Sequence, residues 1–269
     1  VRRFDEMIKE KFGIEEAGKE TCEKCGETYT LYHTPKGTVG ACKPCYDKEF
    51  IQSLDLPTKD EYRRSKVTGV ISELERVTSD LVDATVNNYQ PKDKTQVKAK
   101  EIAKNYIMNF DKEHSLVLSG NPGLGKTHLA YAIAKGVRKM RDDDGNHYTT
   151  LFIKSTDLLQ KIKATYHRES TLSEDRILNL IDQVDLLVLD DVGSEYIKKN
   201  DDGSETWATD ILYKVADMRL GKALVVTTNY NESSLVEKFG NNGPRVIDRL
   251  LDNAERHRLE GESFRKNRF

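Results

Sequence analysis

Leu116-Val117-Leu118-Ser119-Gly120-Asn121-Pro122-Gly123-Leu124-Gly125-Lys126-Thr127 is the stretch that decides the fold. An apolar strand runs into G-x-x-x-x-G-K-T, and a helix-forming segment, His128-Leu129-Ala130-Tyr131-Ala132-Ile133, follows at once. Strand, glycine-rich turn and helix in that order make a phosphate loop. The glycines let the backbone wrap an anion, and the N–H groups at the start of the helix face it. The pattern predicts a nucleotide held by Gly120, Asn121, Pro122, Gly123, Leu124, Gly125, Lys126, Thr127 and His128. Lys126 is expected to reach the β- and γ-phosphates, and the Thr127 hydroxyl to hold Mg²⁺.

Downstream, Val184-Asp185-Leu186-Leu187-Val188-Leu189-Asp190-Asp191 is a continuous apolar run that ends in two carboxylates. Such a run reads as a strand buried on both faces of a parallel sheet, and ligands gather at the carboxyl ends of such strands. Taken alone, the pair could be plain turn residues. After a phosphate loop, Asp190 is expected to hold Mg²⁺ through water, and Asp191 to orient or deprotonate the attacking water.

The four cysteines form Cys22-Glu23-Lys24-Cys25 and Cys42-Lys43-Pro44-Cys45. Two C-x-x-C pairs at this separation suit one tetrahedral Zn²⁺ bound by four thiolates, a structural site with no open position. Tyr29–Tyr32 and Thr38–Gly40 flank Pro35-Lys36-Gly37, which reads as a hairpin between the pairs, a zinc-ribbon pattern. Two disulfides are the alternative, and the absence of a secretory signal ahead of them weighs against it.

The 269 residues suit one large domain and one small one. Charged residues are 33% of the chain and the net charge is −2, which argues against a globally basic nucleic-acid binder but leaves local patches open. No run of eighteen apolar residues occurs, so no transmembrane helix is expected. The chain opens on Val1, and its natural start is expected upstream.

The expected organisation is a zinc-binding domain over residues 1–50, a helical linker over 51–85 and an ATPase domain over 86–269. Phe4, Ile8 and Phe12 have helical spacing within the first twenty residues, and Val67, Val70, Ile71, Leu74 and Val77 have it in the linker. Beyond these, Val97–Phe110, Leu158–Tyr166 and Ser173–Ile181 read as helices, the second capped by Ser155-Thr156-Asp157. Residues 150–154 and 221–229 read as strands. Strands alternating with helices predict an α/β fold with a parallel sheet covered on both faces.

From about Asn88 to Phe269 the chain resembles the AAA+ ATPases, and within them the bacterial helicase loaders of the DnaC and DnaI type. Residues 120–130, down to the trailing His-Leu-Ala, look like the loader phosphate loop, and residues 184–193 look like its acidic strand. The resemblance implies a five-stranded P-loop NTPase sheet. It makes Thr227-Thr228-Asn229 a sensor-1 site, with Asn229 on the γ-phosphate or the lytic water. Residues 245–250 are similar to the segment that carries the arginine finger, which makes Arg249 the first candidate and Arg245 the second. On its own, Arg249 also reads as a surface residue paired with Asp248 or Asp252. Glu262-Ser263-Phe264-Arg265 resembles the tail that carries sensor 2, which points to Arg265.

A zinc module ahead of the ATPase resembles the DnaI kind, of chromosomal or bacteriophage origin. Many relatives have Asp-Glu where this chain has Asp190-Asp191, so slow turnover is expected. Little follows sensor 1 that could form a separate helical lid. The resemblance implies ATP, Mg²⁺ and Zn²⁺ as cofactors, a bacterial cytoplasmic location and assembly into a ring or spiral with ATP. It implies two partners, a hexameric helicase of the DnaB family and single-stranded DNA. The family's DNA-facing insertion falls here on residues 158–168, where Lys163 and Tyr166 are spaced to share a helix face. Lys198, Lys199 and the terminal Arg265–Arg268 are further candidates for DNA. Through residue 60 acids outnumber bases, so the N-terminal module reads as the helicase-docking unit. Two rivals remain: a transposition regulator of the IstB kind, acting on duplex DNA, and a protein that sequesters the helicase with little hydrolysis.

Overall fold

The computed structural model describes residues 14–34, 36–54, 59–167, 170–196 and 207–264. The chain divides into two compact units, residues 1–62 and 63–269.

In the first unit, β1 (Glu15–Thr21), β2 (Thr28–Thr34) and β3 (Gly37–Val39) form an antiparallel sheet in the order β1-β2-β3, and α1 (Lys43–Ser53) follows. The hairpin expected between the cysteine pairs is the β2–β3 pairing, closed by Thr34 opposite Gly37. Residues 15–21 correct the helical reading of the first twenty residues. They pair with β2 from Glu15 opposite His33 to Thr21 opposite Thr28. Glu15–Thr21 has no apolar stripe of helical period, so cross-strand pairing decides its conformation. Phe4, Ile8 and Phe12, which suggested the helix, lie outside the described residues. The unit has a thin interior: Cys42 is its buried apolar residue among those described, and α1 buries none.

The second unit opens with residues from α2 (Lys59–Leu74), then α3 (Lys94–Met108) and a five-stranded parallel sheet. Its strands are β4 (Ser115–Gly120), β5 (Thr150–Lys154), β6 (Leu186–Val192), β7 (Leu224–Thr228) and β8 (Ala254–Leu259), in the order β5-β6-β7-β4-β8. Between them run α4 (Lys126–Arg138), α5 (Ser155–Ala164), α6 (Glu174–Gln183), α7 (Trp207–Met218), α8 (Glu232–Phe239) and α9 (Gly243–Leu250). After β7 the chain makes these last two short helices, with a 3-10 turn (Gly240–Asn242) between them, and the edge strand β8 before Phe264.

Side chains alternate between two cores along every inner strand, as the period of two requires. Leu116, Leu118, Phe152, Leu186, Val188 and Val225 face the helices α3 and α4. Val117, Leu151, Ile153, Leu187, Leu189 and Val226 face the other core, built with α5 to α9. Val67, Val70, Ile71 and Leu74 are buried in that second core, so this part of the expected linker is fixed to the ATPase unit. Just beyond α2, Glu75 accepts the Phe152 N–H of edge strand β5 at 3.2 Å and is held by Arg138 at 2.7 and 3.1 Å. An exposed strand edge is thereby closed.

Most helices begin or end within three residues of their sequence reading. The instructive shift is α5, which begins at Ser155 without a side-chain cap and ends at Ala164. Ser155-Thr156-Asp157 are therefore its first turn rather than its cap. Ser155 is fully buried, and its hydroxyl donates to the Asp191 carbonyl at 3.2 Å instead of accepting a helix N–H.

Candidate nucleotide and metal sites

The phosphate loop leaves β4 at Gly120 and enters α4 after Gly125. Gly125 has φ 81°, and a Cβ there would lie 2.4 Å from the Tyr89 ring. At Gly120, with φ 134°, a Cβ would lie 2.1 Å from the Leu259 carbonyl oxygen. Both positions need glycine for conformation and for space.

Lys126 is 6% exposed. Its Nζ donates to the Gly120 and Asn121 carbonyls and to Asn229 Oδ1, each at 2.8 Å. Asn229 Nδ2 donates in turn to Asp191 Oδ1 at 2.7 Å. One relay therefore joins the phosphate loop to the ends of β7 and β6. Thr227 supplies a second link, which the sequence reading missed. Its hydroxyl donates to Asp190 Oδ1 at 2.6 Å and accepts the Asp191 N–H at 2.8 Å. Asp191 itself turns the chain with φ 58°, the left-handed region.

Asp190 is 1% exposed, and its Oδ2 accepts no hydrogen bond among the described residues. Burial pushes its carboxyl above the usual range, while the hydroxyls of Thr227 and Thr127 favour the ionised form. A buried, half-satisfied carboxylate next to a threonine hydroxyl fits a hard cation that takes oxygen ligands.

These groups line a cavity of about 460 Å³ together with Tyr89, Gly123 and Phe264, a volume within the usual range for ligand sites. The side away from the acids is built by the chain before α3 and by the tail. Tyr89 donates its hydroxyl to the Leu124 carbonyl at 2.8 Å and packs edge-on to Phe264 at 5.8 Å. The Phe264 N–H donates to the Gly123 carbonyl at 2.8 Å. His128 Nε2 lies 2.9 Å from the Thr85 carbonyl and 3.1 Å from Asn88 Oδ1, so its ring fastens this wall to α4.

Arg249 stands apart from the cavity lining. Its Nε donates to Asp217 Oδ1 at 3.0 Å and its Nη1 to Asp248 Oδ2 at 3.2 Å. Asp217 raises its pKa further. Val246, Ile247 and Leu250 bury the inner face of α9, which leaves Arg245 exposed on the outer one. Arg265, Lys198 and Lys199 lie outside the described residues.

Tyr166 falls two residues past the end of α5, in the turn that follows Lys163. The turn keeps them close in the backbone, with the Tyr166 N–H donating to the Lys163 carbonyl at 3.3 Å. Tyr166 Oη donates to Glu174 Oε2 at 2.6 Å and accepts from Trp207 Nε1 at 3.0 Å. The two half-open rings meet edge-on at 6.2 Å. Trp207, far off in sequence, carried no signal that would have joined it to Tyr166.

In the first unit the sulfurs of Cys22, Cys25, Cys42 and Cys45 all lie within 4.8 Å of one another. Cys22 and Cys45 are 3.8 Å apart, and Cys25 and Cys42 3.4 Å. A tetrahedral ion with bonds of about 2.3 Å sets its sulfurs about 3.8 Å apart. The β1–β2 turn forms one knuckle, where the Gly26 N–H donates to the Cys22 carbonyl at 2.8 Å, and the start of α1 forms the other. Backbone donors at Cys25 and Lys24 lower the Cys22 thiol to about 7, while the neighbouring thiol of Cys25, with burial, pushes Cys45 up to about 12. Four thiolates this close repel one another unless a cation lies between them.

The family model for the IstB-like ATP binding protein matches residues 57–268. The chain belongs to that family. The match begins beyond the four cysteines, so the family assignment concerns the nucleotide unit. The chain is 27% identical over 187 residues to the replicative helicase loader DnaC of Buchnera aphidicola subsp. Baizongia pistaciae, covering 69% of this chain and 70% of that protein. The crystal structure of the DnaC helicase loader matches with a TM-score of 0.56 at 24% identity, over 68% of this chain and all of that one. That of DnaI matches with a TM-score of 0.55 at 19% identity, over 70% of this chain and 93% of that one. The fold of the second unit is thus the AAA+ fold of these proteins. Among the described residues no helix is long and apolar enough to cross a membrane.

Proposed function

We propose that this protein is an ATP-dependent loader that binds a hexameric replicative helicase of the DnaB type and delivers it onto single-stranded DNA in the bacterial cytoplasm. The observation that carries the reading is the Lys126–Asn229–Asp191 relay, in a chain similar to a protein named as a replicative helicase loader. On this reading Lys126 receives the β- and γ-phosphates of ATP. Thr127 and Asp190 hold Mg²⁺, which supplies charge neutralisation on the phosphates. Asp191 orients the attacking water and, as the shorter acid, reaches less far, so turnover is slow. Asn229 senses the terminal phosphate.

Arg249, with Arg245 second, acts in the site of a neighbouring subunit, which couples hydrolysis to assembly into a ring or spiral. Arg265 approaches its own subunit's nucleotide. Lys163 and Tyr166, with Trp207 beside Tyr166, provide a cation and aromatic faces for a single strand, and Lys198 and Lys199 are further candidates for contact with it. The four cysteines hold a structural Zn²⁺, and the zinc module is the helicase-docking unit. Among its described residues the interior is too thin to fold on apolar burial alone.

A transposition regulator of the IstB kind is the second reading, favoured by the description of the family model. Steady-state ATP turnover with single-stranded and with duplex DNA separates the two. The loader reading expects slow turnover that responds to single strands and is lost in Lys126→Ala and Asp191→Ala. A response to duplex alone supports the transposition reading, and wild-type turnover no higher than that of Lys126→Ala removes hydrolysis from the function.

A further inference from the structure

We infer that Lys154 is a second cationic ligand for the terminal phosphate of ATP, supplied by the same subunit as the phosphate loop. The inference rests on the nucleotide reading above. Lys154 ends β5, in register beside Asp190 on β6. Alternation along β5 turns Phe152 into the core under α4, so Lys154, two residues on, leaves the sheet on that same face. Lys154 lines the cavity with Lys126, Asp190, Asp191 and Asn229. Its positive charge is felt at Asp190.

Two features set it apart from an ordinary surface lysine. Among the described residues its ammonium makes no hydrogen bond and no ion pair, whereas that of Lys126 donates to Gly120, Asn121 and Asn229 within the protein. Lys154 also occupies the N-cap position of α5, without capping it. Serine, threonine, aspartate and asparagine are the residues that satisfy the free N–H groups there. A cation at that end also opposes the helix dipole. A broken local rule in the lining of a ligand cavity points to function. A bound anion reverses the sign of both terms, because ammonium and helix end then face the same negative charge.

Sheet order says which phosphate this is. The phosphate loop leaves β4, and β7 and β6 separate β4 from β5. Lys154 therefore lies beyond the acidic pair as seen from the loop. The α- and β-phosphates sit over the loop, and only a phosphate extending toward Asp190 and Asp191 meets Lys154. The residue discriminates ATP from ADP.

The test is equilibrium titration of the full chain, with Mg²⁺, by a fluorescent non-hydrolysable ATP analogue and by fluorescent ADP. Lys154→Gln, Lys154→Arg and Lys126→Ala run beside the wild type. Lys154→Gln is expected to weaken the ATP analogue about tenfold, the effect of losing one charge-assisted hydrogen bond, and to leave ADP within about twofold. Lys154→Arg keeps the wild-type preference. Equal weakening of both ligands by Lys154→Gln, or no weakening of the ATP analogue, overturns the assignment while leaving the nucleotide site intact. Failure of the wild type to bind either ligand overturns the nucleotide reading itself.

Discussion

The hydroxyl of Thr227 carries more of this site than its position in a Thr-Thr-Asn run suggests. It satisfies one oxygen of Asp190 and the N–H of Asp191 together, so the two acids are aimed by one group. Thr227→Val keeps the shape and removes both bonds. It is expected to cost about 2 kcal/mol, seen as a fall of roughly 5 °C in melting temperature. ATP turnover should fall at least tenfold while ATP binding through Lys126 remains. An unchanged melting temperature with normal turnover would show that neither acid needs the hydroxyl. At this scale the sequence is readable where chemistry is written in adjacent residues. Gly120–Thr127 and Asp190-Asp191 announce themselves. Tyr89, Phe264 and Trp207 do not, because each acts through a contact that chain distance hides.

Individual elements were legible in proportion to how completely they are buried. β4, β6 and β7 are continuous apolar runs with two covered faces, and no other conformation hides such a run as well. β1 is the opposite case: its charged, exposed residues carry no period, and pairing with β2 determines it. α5 shows a third kind of failure, in which Ser155 has the right chemistry for a cap and is used for a different bond. The link from Glu75 to the β5 edge was likewise invisible, since it joins residues far apart in the chain. Glu75→Ala leaves the Phe152 N–H and the Arg138 guanidinium without their partner. It is expected to destabilise the second unit by about 2 kcal/mol, measured by denaturant unfolding. A midpoint equal to the wild type's would mean that α2 does not hold the sheet edge.

The whole molecule joins a nucleotide unit with a large core to a small unit that, among the described residues, has almost none. The stability of the small unit is therefore expected to depend on the four cysteines. Metal ligation requires thiolates, so chelation or acidification should release one Zn²⁺ per chain and unfold residues 14–54. ATP binding by the second unit should survive, which circular dichroism and nucleotide titration on the same sample would record. A first unit still folded after metal loss would assign the cysteines another role.

The loader function itself rests on one interaction, that between this chain and a replicative helicase. The most direct measurement is co-purification of the full chain with the replicative helicase of its host, with and without ATP. Lys126→Ala and Cys42→Ser/Cys45→Ser would run in parallel. A stoichiometric complex that depends on intact cysteines, and whose hold on single-stranded DNA depends on ATP and Lys126, is the expected result. No complex with the helicase, from protein shown to be folded and zinc-loaded, would contradict it.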